Sequence, residues 1–330
     1  MYIYFLFHNI LLMDEPAPNF KHKRKPVVAV ILSFIVIGLG YVYCGRIVRG
    51  LLIFFIFVIL IPFATFAIEA ASPRINMTVI GVSLLISLLI WIAAIIDSYR
   101  IAKHTKPDYE LKDYNRWYVY LFFYLLITTY TNQFALGIKS NLMEAFRTSS
   151  SSMYPTLESH DCFLANKKVY KNDDPNRGDV IVFTQPEDRK VYYVQRVVAV
   201  AGDTIEMKDN QLIINGETLE KAQLYTATYV GKDANNNDVN VGGIIFSENY
   251  GQTEYQIFLM DTYGSIKSKK WSLDFPETKI PKNHCFVLGD NRNLSRDSRD
   301  FGPIPLSTVK GRAEYLYWPA KDWSRFGEIK

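Results

Sequence analysis

The chain has 330 residues, room for two or three domains, and 49% of them are hydrophobic. The formal net charge is +4 and no basic stripe is present, which sets nucleic acid aside as a partner. Residues 27–138 are mostly apolar and residues 139–330 have ordinary globular composition, so a membrane region (1–138) is expected to precede a soluble one (139–330).

Residues 1–12 (MYIYFLFHNILL) are apolar but too short to span a bilayer, and they lack the positive start of a secretory signal. An interfacial segment and a misplaced start are both open. A basic patch, K-H-K-R-K, follows at 21–25. Four apolar runs come next: Val27–Cys44, Leu51–Ile68, Thr78–Ile96 and Trp117–Ile138. A spanning helix needs about 20 apolar residues. Trp117, Tyr118 and Tyr120 at the start of the fourth run suit the aromatic belt of a membrane interface. If all four runs cross, Arg46 and Arg49 lie on the same side as the basic loop 97–116, opposite the basic N-terminus. If the first does not cross, all three basic clusters share the cytoplasmic side. Gly38, Gly40 and Gly45 interrupt the first run and favour a re-entrant or interfacial hairpin. The preferred reading is therefore three spans, at about 51–68, 78–96 and 117–138, with 27–44 as the alternative fourth. Both readings put the C-terminal half outside the cytoplasm in a multi-pass cell-membrane protein.

From 139 onward short strands and turns are expected. Gly178–Phe183, Val191–Val200, Ile244–Phe246, Glu254–Met260, His284–Leu288 and Glu314–Trp318 read as strands. Ile205–Ile214 reads as a hairpin turning at Asp209-Asn210, and Asn215-Gly216 is a second turn signal. An Asn-rich loop falls at Asn235–Asn237. The expected fold is a mainly antiparallel β domain, with a smaller β subdomain inserted at about 206–280. Cys44, Cys162 and Cys285 are far apart and form no metal framework, so no metal or other cofactor is expected. They read as buried small hydrophobes; a Cys162–Cys285 disulfide is the alternative for an exported domain.

Four segments carry chemistry. Ser149 to Leu157, S-S-S-S-M-Y-P-T-L, directly follows the last apolar run. On composition alone it is a flexible serine linker. Pro175 to Phe183 reads P-N-R-G-D-V-I-V-F; Tyr193 to Asp203 reads Y-V-Q-R-V-V-A-V-A-G-D; Gly289 to Gly302 reads G-D-N-R-N-L-S-R-D-S-R-D-F-G. Together, in this order over residues 139–318, they resemble the boxes of the type I signal peptidase family, the serine–lysine type that includes bacterial leader peptidase. The resemblance does not extend over the first hundred residues.

The resemblance implies a membrane-bound serine endopeptidase that removes signal peptides from exported preproteins, with preprotein signal peptides and the lipid bilayer as partners. It places Ser152 as nucleophile and Ser150, with the Ser152 N–H, as oxyanion donors. Ser295 would orient the general base, and Asp297 would pair with Arg299 or Arg196 to hold the loop. The family's base is a lysine, and here that position is Gln195. Ala199 and Ala201 depart from the same box. A serine hydroxyl needs a base to attack well. A glutamine amide cannot take the proton; it can only hydrogen-bond the hydroxyl. Nothing in the spacing of Lys190, Lys208, His160 or His284 brings a substitute to Ser152. The alternative to an active peptidase is thus a catalytically impaired relative that binds signal peptides or assists an active paralogue.

Overall fold

The first apolar run does not make one long helix. In the computed structural model, which describes residues 24–105, 109–185, 188, 190–232, 237–250, 253–263, 266–267 and 273–330, it forms α1 (Pro26–Ile35) and α2 (Leu39–Tyr43). Residues 1–12, Lys21–Lys23 and the Asn235–Asn236 part of the Asn-rich loop lie outside the described residues. Gly38 breaks the run: its φ of 96° is costly for any side chain, and a Cβ there would meet the Gly50 carbonyl oxygen at 2.5 Å. Ten residues of helix rise about 15 Å, half of a hydrocarbon core of about 30 Å.

Among the described residues, three helices are long and apolar enough to cross a membrane: α3 (Ile47–Ala71), which contains a π-helical stretch at Ile56–Leu60, α4 (Met77–His104) and α5 (Trp117–Asn141). Asn76 caps α4 by accepting a hydrogen bond from Val79 N. Leu84, Leu85, Phe122 and Leu125 are exposed on these helices, as expected of surfaces whose solvent is hydrocarbon. Residues through Ala71 with Asn76–Leu136 form one compact unit, and Ser72–Ile75 with Gly137–Lys330 form the other. The core of the first unit gathers Val36, Ile37, Tyr41, Phe54, Val58, Ala94 and Phe123.

The second unit is antiparallel β. Its main sheet runs β1 (Met143–Arg147), β2 (Cys162–Asn166), β15 (Val309–Trp318), β3 (Val180–Thr184), β4 (Tyr192–Ala199), β13 (His284–Leu288), β14 (Ile304–Pro305), with β16 (Gly327–Glu328) also on β15. β3 is buried along its whole length, consistent with its β-branched and aromatic sequence V-I-V-F-T. Burying each such large apolar side chain contributes about 1.5–3 kcal/mol.

A second sheet runs β12 (Phe275–Lys279), β5 (Thr204–Lys208), β6 (Gln211–Ile214), β7 (Glu217–Thr218). Its two hairpins turn where expected: Asp209 and Asn210 have φ of 53° and 58°, and Asn215 and Gly216 have 54° and 82°. A third sheet runs β11 (Ile266–Lys267), β10 (Thr253–Tyr263), β9 (Asp238–Tyr250), β8 (Glu220–Lys232). Here the structure corrects the expectation of short strands at Ile244–Phe246 and Glu254–Met260: these are the middles of strands of 13 and 11 residues. All three cysteines are free thiols, so the Cys162–Cys285 disulfide alternative does not hold. Cys285 sits in an apolar cluster with Val197 and Val287, where burial pushes its thiol up to about 12.

Candidate active site

Ser152 lies in the turn between β1 and β2. The turn is anchored by its own hydrophobes, since Met153 and Leu157 are fully buried against Phe163 and Val180. Tyr154 N donates to Ser151 O and Leu157 N to Met153 O. The Tyr154 ring packs at 4.5 Å from Tyr229 and 5.2 Å from Phe258, on the third sheet. A run that composition reads as a flexible linker is therefore a packed turn.

The G-D-N-R loop after β13 staples that turn in place. Asn291 N donates to Ser152 O at 3.0 Å, and Asn291 Nδ2 donates to Ser151 O at 3.0 Å. Gly289 lies so close that a Cβ there would fall 2.6 Å from Ser152 O and collide with Ser295. Thr156 donates to Asp290 Oδ2 at 2.6 Å. The roles of Gly289, Asp290 and Asn291 were missed from sequence, although all three lie inside the quoted box. The signal was there in residue type: a glycine where backbones touch and a side-chain amide able to donate to a carbonyl of the serine turn.

Strand alternation on β4 sends neighbours to opposite faces. Gln195 and Arg196 are both nearly fully buried, and they serve different purposes. Arg196 grips Asp290 through its Nε and Nη2 edge at 2.8 and 2.7 Å, donates to Gly178 O, and stacks over Tyr255 at 4.4 Å. Of the two partners expected for Asp297, the structure therefore selects Arg299, bonded at 2.7 Å through both Nε and Nη2. Asp297 also accepts from Gly289 N at 3.0 Å and caps α6 (Ser298–Phe301). Removing one partner from a buried pair such as Arg196–Asp290 costs about 3–5 kcal/mol, because the other charge is stranded.

Gln195 reaches the same loop from the other side. Its Nε2 donates to Arg296 O at 2.6 Å and lies 3.4 Å from Ser295 Oγ, while its Oε1 is buried without a partner among the described residues. The structure thus brings Gln195 to Ser295, a hundred residues away in sequence. Ser150 Oγ and Ser152 Oγ are 3.1 Å apart. Ser150, Ser152 and Gln195 line one cleft of about 330 Å³, walled by Phe146, Phe163, Val182 and Tyr192. Among the described residues, the charged groups lining it are Arg147 and Arg296; Lys190, Lys208, His160 and His284 are not among its walls. His284 turns its Nδ1 to Lys282 O instead. Among the described residues no group of three or more His, Cys, Asp or Glu side chains could hold a metal ion.

Comparison with known proteins matches residues 115–318 to the family described as signal peptidase, peptidase S26. Signal peptidase I of Pseudomonas fluorescens is 32% identical over 228 residues, covering 59% of this chain and 74% of the relative. Signal peptidase I of Aquifex aeolicus is 31% identical over 206 residues, covering 56% of this chain and 80% of the relative. A crystal structure of a signal peptidase I from Enterococcus faecalis aligns at 25% identity and a TM-score of 0.24, over 42% of this chain and 97% of that one. With more than half its length matched, this chain belongs to the signal peptidase family, peptidase S26.

Proposed function

We propose that the chain is a membrane-anchored endopeptidase of the signal peptidase I type that acts on the signal peptides of exported preproteins. The observation that carries this reading is the Ser150–Ser152 hydroxyl pair, 3.1 Å apart at the mouth of a peptide-sized cleft. Ser152 is the nucleophile, and Ser150 Oγ with the Ser152 N–H receives the oxyanion. Asn291 and Gly289 hold the Ser152 carbonyl, so the hydroxyl is presented on a fixed turn. Ser295 orients whatever group acts at position 195, and Asp297, Arg299 and Arg196 keep the supporting loop rigid. The substrate enters as an extended strand beside β1, the edge of the main sheet, where backbone pairing gives affinity and small pockets select small side chains. Helices α3 to α5 cross the membrane with the β domain outside the cytoplasm, since Arg46, Arg49 and the basic residues of 97–116 then all face inward.

A second reading rests on Gln195. With an amide at the base position and no carboxylate, lysine or histidine among the described walls of the cleft, hydrolysis has no evident proton acceptor. The cleft then binds signal peptides, or assists an active paralogue, with turnover reduced to what the oxyanion site and binding alone supply, roughly 10³–10⁴-fold over water. The deciding experiment is preprotein cleavage by the purified full chain, wild type against Ser152→Ala. Cleavage abolished by the alanine supports the peptidase. An inert wild type that still retains the signal peptide equally well supports the second reading.

A further inference from the structure

Arg24, which lies outside the family-matched region, is buried to 6% exposure, and its Nε and Nη2 both lack a hydrogen-bond partner among the described residues. Its guanidinium carbon lies over two aromatic rings, 4.4 Å from the Tyr43 centroid and 4.4 Å from the Tyr109 centroid. Two aromatic rings thus lie against the guanidinium, and one of its edges is left without a partner among the described residues. That edge has a defined chemistry. Nε–H and one Nη2–H point in parallel and match the two oxygens of a carboxylate or phosphate. In this chain Arg196 and Arg299 each place the same edge on a carboxylate, Asp290 and Asp297 respectively. Arg177 does so with Asp203. Among the described residues, no carboxylate meets the same edge of Arg24.

The surroundings fix the fork in place. Tyr109 OH donates to Asn115 Oδ1 at 3.0 Å, Asn115 Nδ2 donates to Val42 O at 2.7 Å, and Tyr114 OH donates to Gly45 O at 2.9 Å. Tyr43 OH accepts from Lys25 N at 3.1 Å. The loop after α4 is thereby tied to the segment between α2 and α3. Lys25, Arg46, Arg49 and Lys112, exposed in or beside these segments, add positive charge. A buried cation whose bidentate edge lacks a partner carries a desolvation cost that a bound anion would offset.

We propose that Arg24, lying over Tyr43 and Tyr109, is the centre of a binding site for a phosphate-type oxyanion: the headgroup phosphate of an anionic phospholipid or a free phosphate group. The position at the end of apolar helices suits a headgroup. The test uses the full chain in detergent, as wild type, Arg24→Lys and Arg24→Gln. Phosphatidylglycerol and phosphatidylcholine are offered together, and retained lipid is read by native mass spectrometry. In parallel, inorganic phosphate is titrated and the melting temperature followed against a chloride control of equal ionic strength. The expected result is selective retention of phosphatidylglycerol, lowered about tenfold in both variants because lysine lacks the fork. A melting shift with inorganic phosphate that the variants lose, without lipid selectivity, assigns the site to a soluble phosphate. Arg24→Lys keeps the charge and decides the matter if Arg24→Gln does not fold. Equal responses of wild type and Arg24→Lys to both probes overturn the proposal.

Discussion

A lysine at position 195 would enter a site already shaped for an amino donor. Gln195 is 2% exposed, its Nε2 sits 2.6 Å from Arg296 O and 3.4 Å from Ser295 Oγ, and its Oε1 has no partner among the described residues. In Gln195→Lys the ammonium takes over both acceptors, and the unsatisfied carbonyl disappears. Burial disfavours the charged form, by up to about 3–5 pKa units for a fully enclosed amine, so the neutral base becomes accessible toward neutral pH. General-base assistance is worth about 10²–10⁴ in rate, or about 3–5 kcal/mol of barrier. Preprotein cleavage by Gln195→Lys should exceed wild type by that factor and rise with pH through the lowered lysine pKa. The linked stability effect has a definite sign. The folded state binds fewer protons than the unfolded one, so stability relative to wild type is lowest in acid and recovers as pH rises toward the ordinary lysine value of about 10.4. Initial rates across pH, with Gln195→Lys/Ser152→Ala as control, check both points. A folded Gln195→Lys protein that cleaves no faster than wild type, or a double variant that cleaves equally well, refutes the assignment of position 195 to the base and Ser152 to the nucleophile.

Gly289→Ala should cost about 1–3 kcal/mol, because the new methyl meets the Ser152 carbonyl at 2.6 Å and presses on Ser295. Displacing Ser152 by about 1 Å should lower cleavage ~10²-fold, measured on the Gln195→Lys background if wild type is slow; unchanged rates there would show that this contact does not position the serine. Asp203 offers a pH test. Burial alone would raise its pKa, but the Arg177 guanidinium, the Val200 amide and the Asn215 side chain together hold it below 3.8. Its contribution is fully present above the unfolded value of 3.8 and is lost as pH falls through the lower folded value. Asp203→Asn should therefore destabilise by about 1.5–3 kcal/mol near neutrality, with the gap closing in strong acid; a gap independent of pH in thermal melts would contradict the Arg177 pairing.

The features legible in the amino-acid order were those whose cause is local. Apolar runs long enough to cross a membrane declare themselves by composition, and α3 to α5 follow. Turns that need φ above zero recruit Asp209-Asn210 and Asn215-Gly216, and the hairpins formed there. The ordered boxes around Ser152, Gln195 and Ser295 identified the family before any fold was in view. Features with a non-local cause were not legible. Strands β9 and β10 were read as short and β8 was not read as a strand; bulges at Gln223/Tyr225 in β8 and Met260/Thr262 in β10 shift the two-residue alternation by which a strand is recognised, and the reading of β10 stopped at the second of them. Whether Asp297 would take Arg196 or Arg299 depended on pleat: β4 turns Arg196 toward Asp290, leaving Asp297 to Arg299. The rigidity of the serine turn comes from Asn291, Gly289 and the Tyr229–Phe258 pair, all brought there by other strands. A residue's type states what bond it can make; only the tertiary structure decides which partner arrives, and for Arg24 it delivers two aromatic rings and, among the described residues, no carboxylate.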